Sequence, residues 1–453
     1  MLQPYKSVSN FINFSKALAS TSTDGKTPFA SNVATNGIFM TNAPLCTKPG
    51  GATDPGAIKT LADVTNNIYT TEAKAKSEPA AEIYVERAVA KVTVQSKSGE
   101  LEANKASKIS YKLYNWAVDN TNKKSYIVRQ YDNNWNKLYS DKAADANKYR
   151  FVWSSPVNPN ATDDNKLYRT AFAQDPEYAT TTANADNYNR IASNASMSTA
   201  FGNSTEFGND HPQYCNENTF QVTAQNQDQT TRVVLGVKMS VPGTVTSGTP
   251  TYDADLYTVN GNKEVVYTEA TLAERLKNIL LNDPAVKTWT KTHTTYSFDI
   301  TFNNTTAGVT TIDKATFKDN TAPDEKLESF TTEQLNKALP NIVRYKGGVA
   351  YYAVRIKHFG DSDTPWNVAG QDVKAGVNSL IYPSATGTNI DWFLGRYGVV
   401  RNNWYDINVK KIQTLGDATI PAFTNDPDDV LENYISVSIN VLSWSKHTQD
   451  ADL

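Results

Sequence analysis

Four histidines, two cysteines and a few acidic turns are the side chains on which metal, redox or nucleophilic chemistry would have to rest in this sequence. His211, His293, His358 and His447 lie far apart and form no paired-ligand motif, and Cys46 and Cys215 fall in no metal or redox spacing. Two readings of the cysteines stand: a long-range disulfide closed in an oxidising compartment, or two buried thiols. His358 ends a strand pattern that also carries Arg355 and Lys357. A general base needs a partner within hydrogen-bond reach, and none is visible, so it reads as a surface or strand-end histidine. Asp361-Ser362-Asp363 and Asp426, Asp428 and Asp429 carry oxygens of the kind calcium takes, but without EF-hand spacing, and read as exposed acidic turns. There is no GxSxG elbow, Walker A loop, HExxH or GxGxxG. Carboxylate pairs for glycoside hydrolysis are set by distance in space and cannot be read from spacing. The expectation is a protein that is not an enzyme and holds no metal or cofactor.

Charge and hydropathy exclude further classes. Over 453 residues, 44 Lys and Arg face 47 Asp and Glu, a net charge of −3 with no basic stripe. That argues against nucleic-acid binding, which draws its affinity from cations against phosphate. No window approaches the ~18 apolar residues of a membrane span. Aromatics at 11% are too many for a disordered chain. No apolar run follows Met1-Leu2-Gln3-Pro4-Tyr5-Lys6, so this start is not a signal peptide.

The elements that would position any site are mostly strands. Residues 82–94 alternate on either side of a phase break, as in a strand with a bulge or kink: Ile83 and Val85, then Ala90, Val92 and Val94. Residues 110–118, 125–129, 149–153, 232–239, 349–358 and 404–412 are further strands. A short helix is expected at 11–18, residues 20–80 read mostly as loop, and 171–204 as surface loop or insertion. Helices are expected at 271–281, with a Thr271/Glu274 capping box and Pro284 beyond it, and at 331–339, with Thr331 and Gln334. Strands outnumber helices without Rossmann-like alternation, which gives an all-β fold with a few short decorating helices. A domain boundary is placed near residue 220, dividing the chain into β-sandwiches at 1–220 and 221–453.

The last strand pattern carries most information. Ile435, Val437, Ile439 and Val441 share one face, Ser436, Ser438 and Asn440 the other, and Leu442 and Trp444 switch phase. It is either the final strand of its own sandwich or a donor strand that completes a neighbour's sheet. Four such side chains bury roughly 6–12 kcal/mol at ~1.5–3 kcal/mol each. Association costs of ~4–15 kcal/mol consume much of that, so a durable fibre needs further contacts or slow strand release.

Several ordered motifs resemble the fimbrillins of Bacteroidales. They are Val85-Glu86-Arg87-Ala88-Val89-Ala90-Lys91-Val92, Tyr214-Cys215-x-Glu217-Asn218-Thr219, Tyr345-x-Gly347-Gly348 with Tyr351-Tyr352 and Ile356-Lys357-His358, and the run from Tyr397-Gly398-Val399 to Trp404-Tyr405-Asp406-Ile407. The ending Val441-Leu442-Ser443-Trp444-Ser445-Lys446-His447 with Asp452-Leu453 is most similar to the major subunit of the short (Mfa-type) fimbria. The resemblance covers about residues 80 to 453. It implies two transthyretin-like β-sandwich domains in a lipoprotein exported to the cell surface, trimmed by an arginine- or lysine-specific protease and polymerised into a fimbrium anchored at the outer membrane. Removal of a first N-terminal strand opens an apolar groove, which the next subunit's C-terminal strand fills. By matching position, the donor strand is about 434–453, with Ile435, Val437, Ile439, Val441, Leu442 and Trp444 as donor residues. The acceptor groove lies beside Ile83, Val85, Val89, Val92 and Val94.

The implied partners are further copies of the chain, accessory fimbrial subunits, and host or bacterial surface ligands. The leader, acylated cysteine, protease site and opening strands of that family would precede Met1, so an N-terminal domain lacking its first strands is expected. No arginine occurs before Arg87, which falls within a strand and makes a poor processing site. A shaft subunit is the leading reading. The alternatives are an accessory tip or anchor subunit, or a surface glycan-binding lipoprotein with a platform built from Trp116, Trp135, Trp153, Trp366 and Trp392. Tryptophans of a sandwich are more often core.

Overall fold

The computed structural model describes residues 18–19, 37–48, 58–78, 82–96, 101–104, 109–131, 151–180, 185–193, 197, 205–221, 224–244, 249–306, 308–359, 394–412, 414–425 and 435–443. The fold is all-β, with several sheets and a few short helices. In chain order the elements that matter here are β1 (Met40–Asn42), β2 (Val85–Arg87), β3 (Ala90–Ser96), β4 (Leu101–Asn104), β5 (Ile109–Asp119), β6 (Gln213–Cys215), β7 (Arg232–Met239) and β8 (Leu256–Val259). Helices α1 (Glu269–Leu280) and α2 (Pro284–Trp289), the hairpin β9 (Tyr296–Thr306) and β10 (Val309–Asp319), and α3 (Thr332–Ala338) come next. The last are β11 (Ile342–Tyr345), β12 (Val349–Arg355), β13 (Asn403–Ile412) and β14 (Ile435–Ser443).

Two four-stranded sheets, β6-β3-β13-β14 and β12-β7-β5-β4, enclose the larger core. Period-2 alternation builds it. Val92 and Val94, Tyr405, Ile407 and Val409 from one sheet meet Trp116 and Val118, Val233, Leu235 and Val237, and Tyr352 and Val354 from the other. Val234, Ala117, Val349 and Tyr351 instead pack with Ile191 and Met197, so the second sheet is covered on both faces. This is why 233–235 is an unbroken apolar run: neither side of the strand meets water. It also corrects the reading of 171–204 as surface loop. Among its described residues, Tyr188–Asn189 form a short strand, and Phe172, Tyr188, Ile191 and Met197 are buried.

Residue 220 lies inside this arrangement. β7, beyond it, pairs with β5, before it, and β13 pairs in parallel with β3. A second core belongs to the stretch between β7 and β12. There a sheet of order β8-β11-β10-β9 packs Ile312 and Phe317 against Leu272, Leu276, Val286 and Leu335 of the three helices. α3 has the expected Thr331–Gln334 capping box. α1 begins earlier than expected: Thr268 is the N-cap, and the Thr271 hydroxyl accepts from its backbone N–H. Pro284 does not merely end that helix. It opens α2, capped by Asp283, since the first turn of a helix needs no proline N–H.

The expected strand 82–94 is two strands, β2 and β3. They part at Ala88-Val89, where Ala88 N–H donates to Phe39 O (2.9 Å) and Val89 O accepts from Asn402 N–H (2.9 Å). β2 pairs with β1 in a two-stranded ribbon apart from the sandwich sheets.

Candidate assembly site

β14 runs antiparallel to β13 from Ile435 opposite Ile412 to Ser443 opposite Asn403, with one bulge between Val409 and Lys411. The register sets Val437 opposite Val409, Ile439 opposite Ile407 and Val441 opposite Tyr405, so the alternating apolar positions of β14 fall beside the core-facing positions of β13. Leu442 stands opposite Trp404. Trp444 lies outside the described residues. Among the described residues β14 is an edge strand, held in its sheet by one ladder.

The strand it lies on is pinned by polar groups on its other face. Asp406 accepts hydrogen bonds from Thr93 Oγ1 (3.1 Å), Gln95 Nε2 (2.9 and 2.8 Å) and Asn408 Nδ2 (2.9 Å). Trp404 Nε1–H donates to Thr93 Oγ1 (2.8 Å), and Lys91 Nζ lies 3.8 Å from the Trp404 ring centroid. Hence the parallel β3–β13 pair is apolar toward the core and locked in register by one buried carboxylate on the other side.

The expected groove residues divide into two groups. Val92 and Val94 belong to the sandwich core, and Val89 is buried with Ala88 against Ile38, Ile127 and Tyr214. Ile83 and Val85 are 57% and 52% exposed, beside Met40 at 49%. β3 has β13 along one side, while on the other β6 pairs with Ala90, Lys91 and Val92 and Gly208 N–H donates to Val94 O (2.9 Å). Of the expected acceptor positions, Val92 and Val94 thus share one sheet with the expected donor strand, β13 lying between them: Ile407 stands opposite Val94 on one side and Ile439 on the other.

The sequence motifs meet where the chain enters β3 and β13, in a buried polar knot that spacing did not reveal. Arg129 pairs with Glu86 (2.6 Å), both side chains being almost wholly buried, and donates to Thr170 O (2.8 Å) and Arg401 O (3.2 Å). Arg401 reaches Ile127 O, Ser125 Oγ and Tyr126 O (3.1, 3.0 and 2.7 Å), and its N–H donates to Glu217 (3.2 Å). Arg169 donates to Asn402 O (3.0 Å), and Asn218 Nδ2 donates to Gln229 O (2.8 Å) and Thr231 Oγ1 (2.7 Å). Burial pushes the Glu86 carboxyl above its ordinary range, against the pull of Arg129. Burial pushes Asp175 up to about 8, although Thr219 N–H (2.6 Å), Glu177 N–H (2.7 Å) and Asn122 Nδ2 (2.6 Å) all donate to it. Such a knot fixes the loops that carry β13.

His358 is neither a surface nor a strand-end group. It is buried after β12, where Tyr405 O–H donates to Nδ1 (2.7 Å) and Nε2–H to Ala171 O (3.0 Å), with Val400 N–H donating to the Tyr405 oxygen (2.8 Å). Cys46 packs with Val152 and Tyr168, Cys215 packs in the sandwich core, and no disulfide joins them. Burial pushes the Cys215 thiol up to about 12, which keeps it protonated and unreactive. Trp116 is core and Trp153 is 39% exposed beside Arg169; Trp135, Trp366 and Trp392 lie outside the described residues, as do both acidic turns.

Residues 380–450 match the family model for the C-terminal part of the major fimbrial subunit protein type IV, fimbrillin. The described part of that match includes β13, residues 414–425 and β14. Among solved structures, a candidate cell adhesion protein from Parabacteroides distasonis is similar at 11% identity with a TM-score of 0.23. That match covers 81% of this chain and 63% of the other. No curated protein matches the chain.

Proposed function

We propose that the chain is a structural shaft subunit of a bacterial surface fimbria, of the short-fimbria type, which polymerises by donating its C-terminal strand to the next copy. The observation that carries this reading is the coincidence of the family match with β13 and β14: the fimbrial resemblance falls on an alternating strand that, among the described residues, is paired along one side. Leaving the sheet costs β14 one ladder, and the same alternation fits any groove with apolar pockets at period two. In the receiving copy the groove is beside β3, where Val92 and Val94 lie; β6 covers the first positions there, and the Gly208 N–H bond to Val94 O (2.9 Å) must open for the strand to enter. Anchoring at the outer membrane, further fimbrial subunits and adhesion to other surfaces belong to the same proposal. The role is mechanical and adhesive, without a catalytic step.

Copies carrying Val94→Cys and copies carrying Ile439→Cys, mixed before assembly, test the transfer. Within one molecule these positions are two strands apart, about 10 Å at ~4.8 Å per strand, too far for a disulfide. Assembly is expected to give a disulfide between the two kinds of copy. Filaments that form with both thiols still reduced under oxidising conditions would rule out this seat for the strand.

A further inference from the structure

The connection from β13 to β14 is fastened to the body well before the tail begins. Residues 414–417 lie along β12, the edge strand of its sheet among the described residues. Tyr352 O–H donates to Thr414 O (2.9 Å) and accepts from Gly416 N–H (2.9 Å), while Tyr345 O–H donates to Gly416 O (3.1 Å). Asp417 and Tyr351 exchange both backbone hydrogen bonds (2.7 and 3.0 Å), and Lys263, which follows β8, reaches the Asp417 carboxylate (3.0 Å). The approach at Gly416 is so close that a Cβ there would lie 2.5 Å from Tyr351 O. Farther on, Arg232 donates to Pro421 O (2.8 Å), and the Phe423 ring centroid lies 3.8 Å from the Arg232 guanidinium and 4.4 Å from that of Arg190.

Both arginines are held from behind. Arg232 pairs with the buried Asp119 (2.8 Å), and Arg190 Nε donates to Asn120 Oδ1 (2.8 Å) while its Nη2 donates to Asp228 O. Two like charges side by side would repel; the ring's negative π face and the Asp119 carboxylate offset that repulsion. None of these contacts involves β14. We propose that this strap is the fixed root of the C-terminal strand: exchange moves only the residues after Phe423, and the Phe423–Arg190–Arg232 clasp sets the point from which the strand leaves. The inference rests on the donor-strand reading. It also gives that reading a dimension. With the root at Ile412, 22 residues would precede Ile435. With the root at Phe423, 11 residues do, spanning at most about 36–40 Å, so the clasp halves the slack between neighbouring copies.

Hydrogen exchange on the full chain, before and after assembly, tests the clasp with Phe423→Leu and Phe423→Tyr. In the unassembled wild type, amides of 414–423 are expected to be protected. Phe423→Leu, which keeps the apolar bulk and loses the π face, should speed their exchange about five- to tenfold, the size of one guanidinium–ring contact. Phe423→Tyr should restore protection, and β7 should be unaffected in both. On assembly the strap should stay protected, and Phe423→Leu filaments should be more flexible between subunits. Equal exchange in wild type and Phe423→Leu, or loss of strap protection when wild-type filaments form, overturns the inference. A wild-type chain that never forms filaments overturns the donor-strand reading instead, while the exchange comparison on the unassembled chain still decides whether the clasp exists.

Discussion

Glu86 and Arg129 lie 43 residues apart in the chain and meet where water is excluded. Taking one charge from a buried pair leaves the other uncompensated, at a cost of about 3–5 kcal/mol, whereas removing both is far milder. Arg129→Met is therefore expected to lower urea-unfolding stability by that amount, and Glu86→Gln added to it should recover most of the loss. A double variant no more stable than the single one would mean that the guanidinium acts through its bonds to Thr170 and Arg401 instead. Asp175 supplies a pH test. Its folded pKa is raised, so the folded state holds an extra proton between the ordinary carboxylate range and about 8. The stability it contributes is full below that range and is lost as pH rises through about 8. Asp175→Asn should remove this slope, making the variant's unfolding free energy flatter than the wild type's between pH 5 and 8, by a few kcal/mol. Parallel pH profiles for the two proteins would contradict the assignment.

Elements were legible where burial is regular. The strand 232–239 has the bounds that its composition indicates, and β13 and β14 stand out by alternation alone. The β9–β10 hairpin was missed although Tyr296, Phe298, Ile300 and Phe302 alternate, because polar Asp299, Thr301 and Asn303 dilute the segment. The knot was illegible for a different reason: Arg401 meets Ser125 across 276 residues, and no local pattern encodes such a pairing. The tail strand could be read as a strand, but its seat beside β13 could not, since either an intramolecular or a donated pairing fits the same alternation. The stretch between β7 and β12 has its own core, so its elements should answer separately from the sandwich. Leu276→Ala, at a fully buried α1 position, is expected to cost about 2–5 kcal/mol. Hydrogen exchange should quicken in α1, β9 and β10 while β5 and β7 keep their rates. Equal quickening in both would show one cooperative unit.

For the whole molecule, a near-neutral surface offers little steering or repulsion between copies, so assembly would depend on strand pairing and on what holds the strand's root. The two-sheet sandwich provides both parts: an edge strand whose apolar positions lie beside the core, and a strap that is fastened independently of it. Deleting residues 426–453 removes β14 and leaves the strap in place. The most direct measurement is electron microscopy of the exported, processed protein beside this deletion. The full chain is predicted to form filaments of repeating subunits, and the deleted chain to remain folded by circular dichroism and monomeric. Filaments of the same form from the deleted chain would contradict the account.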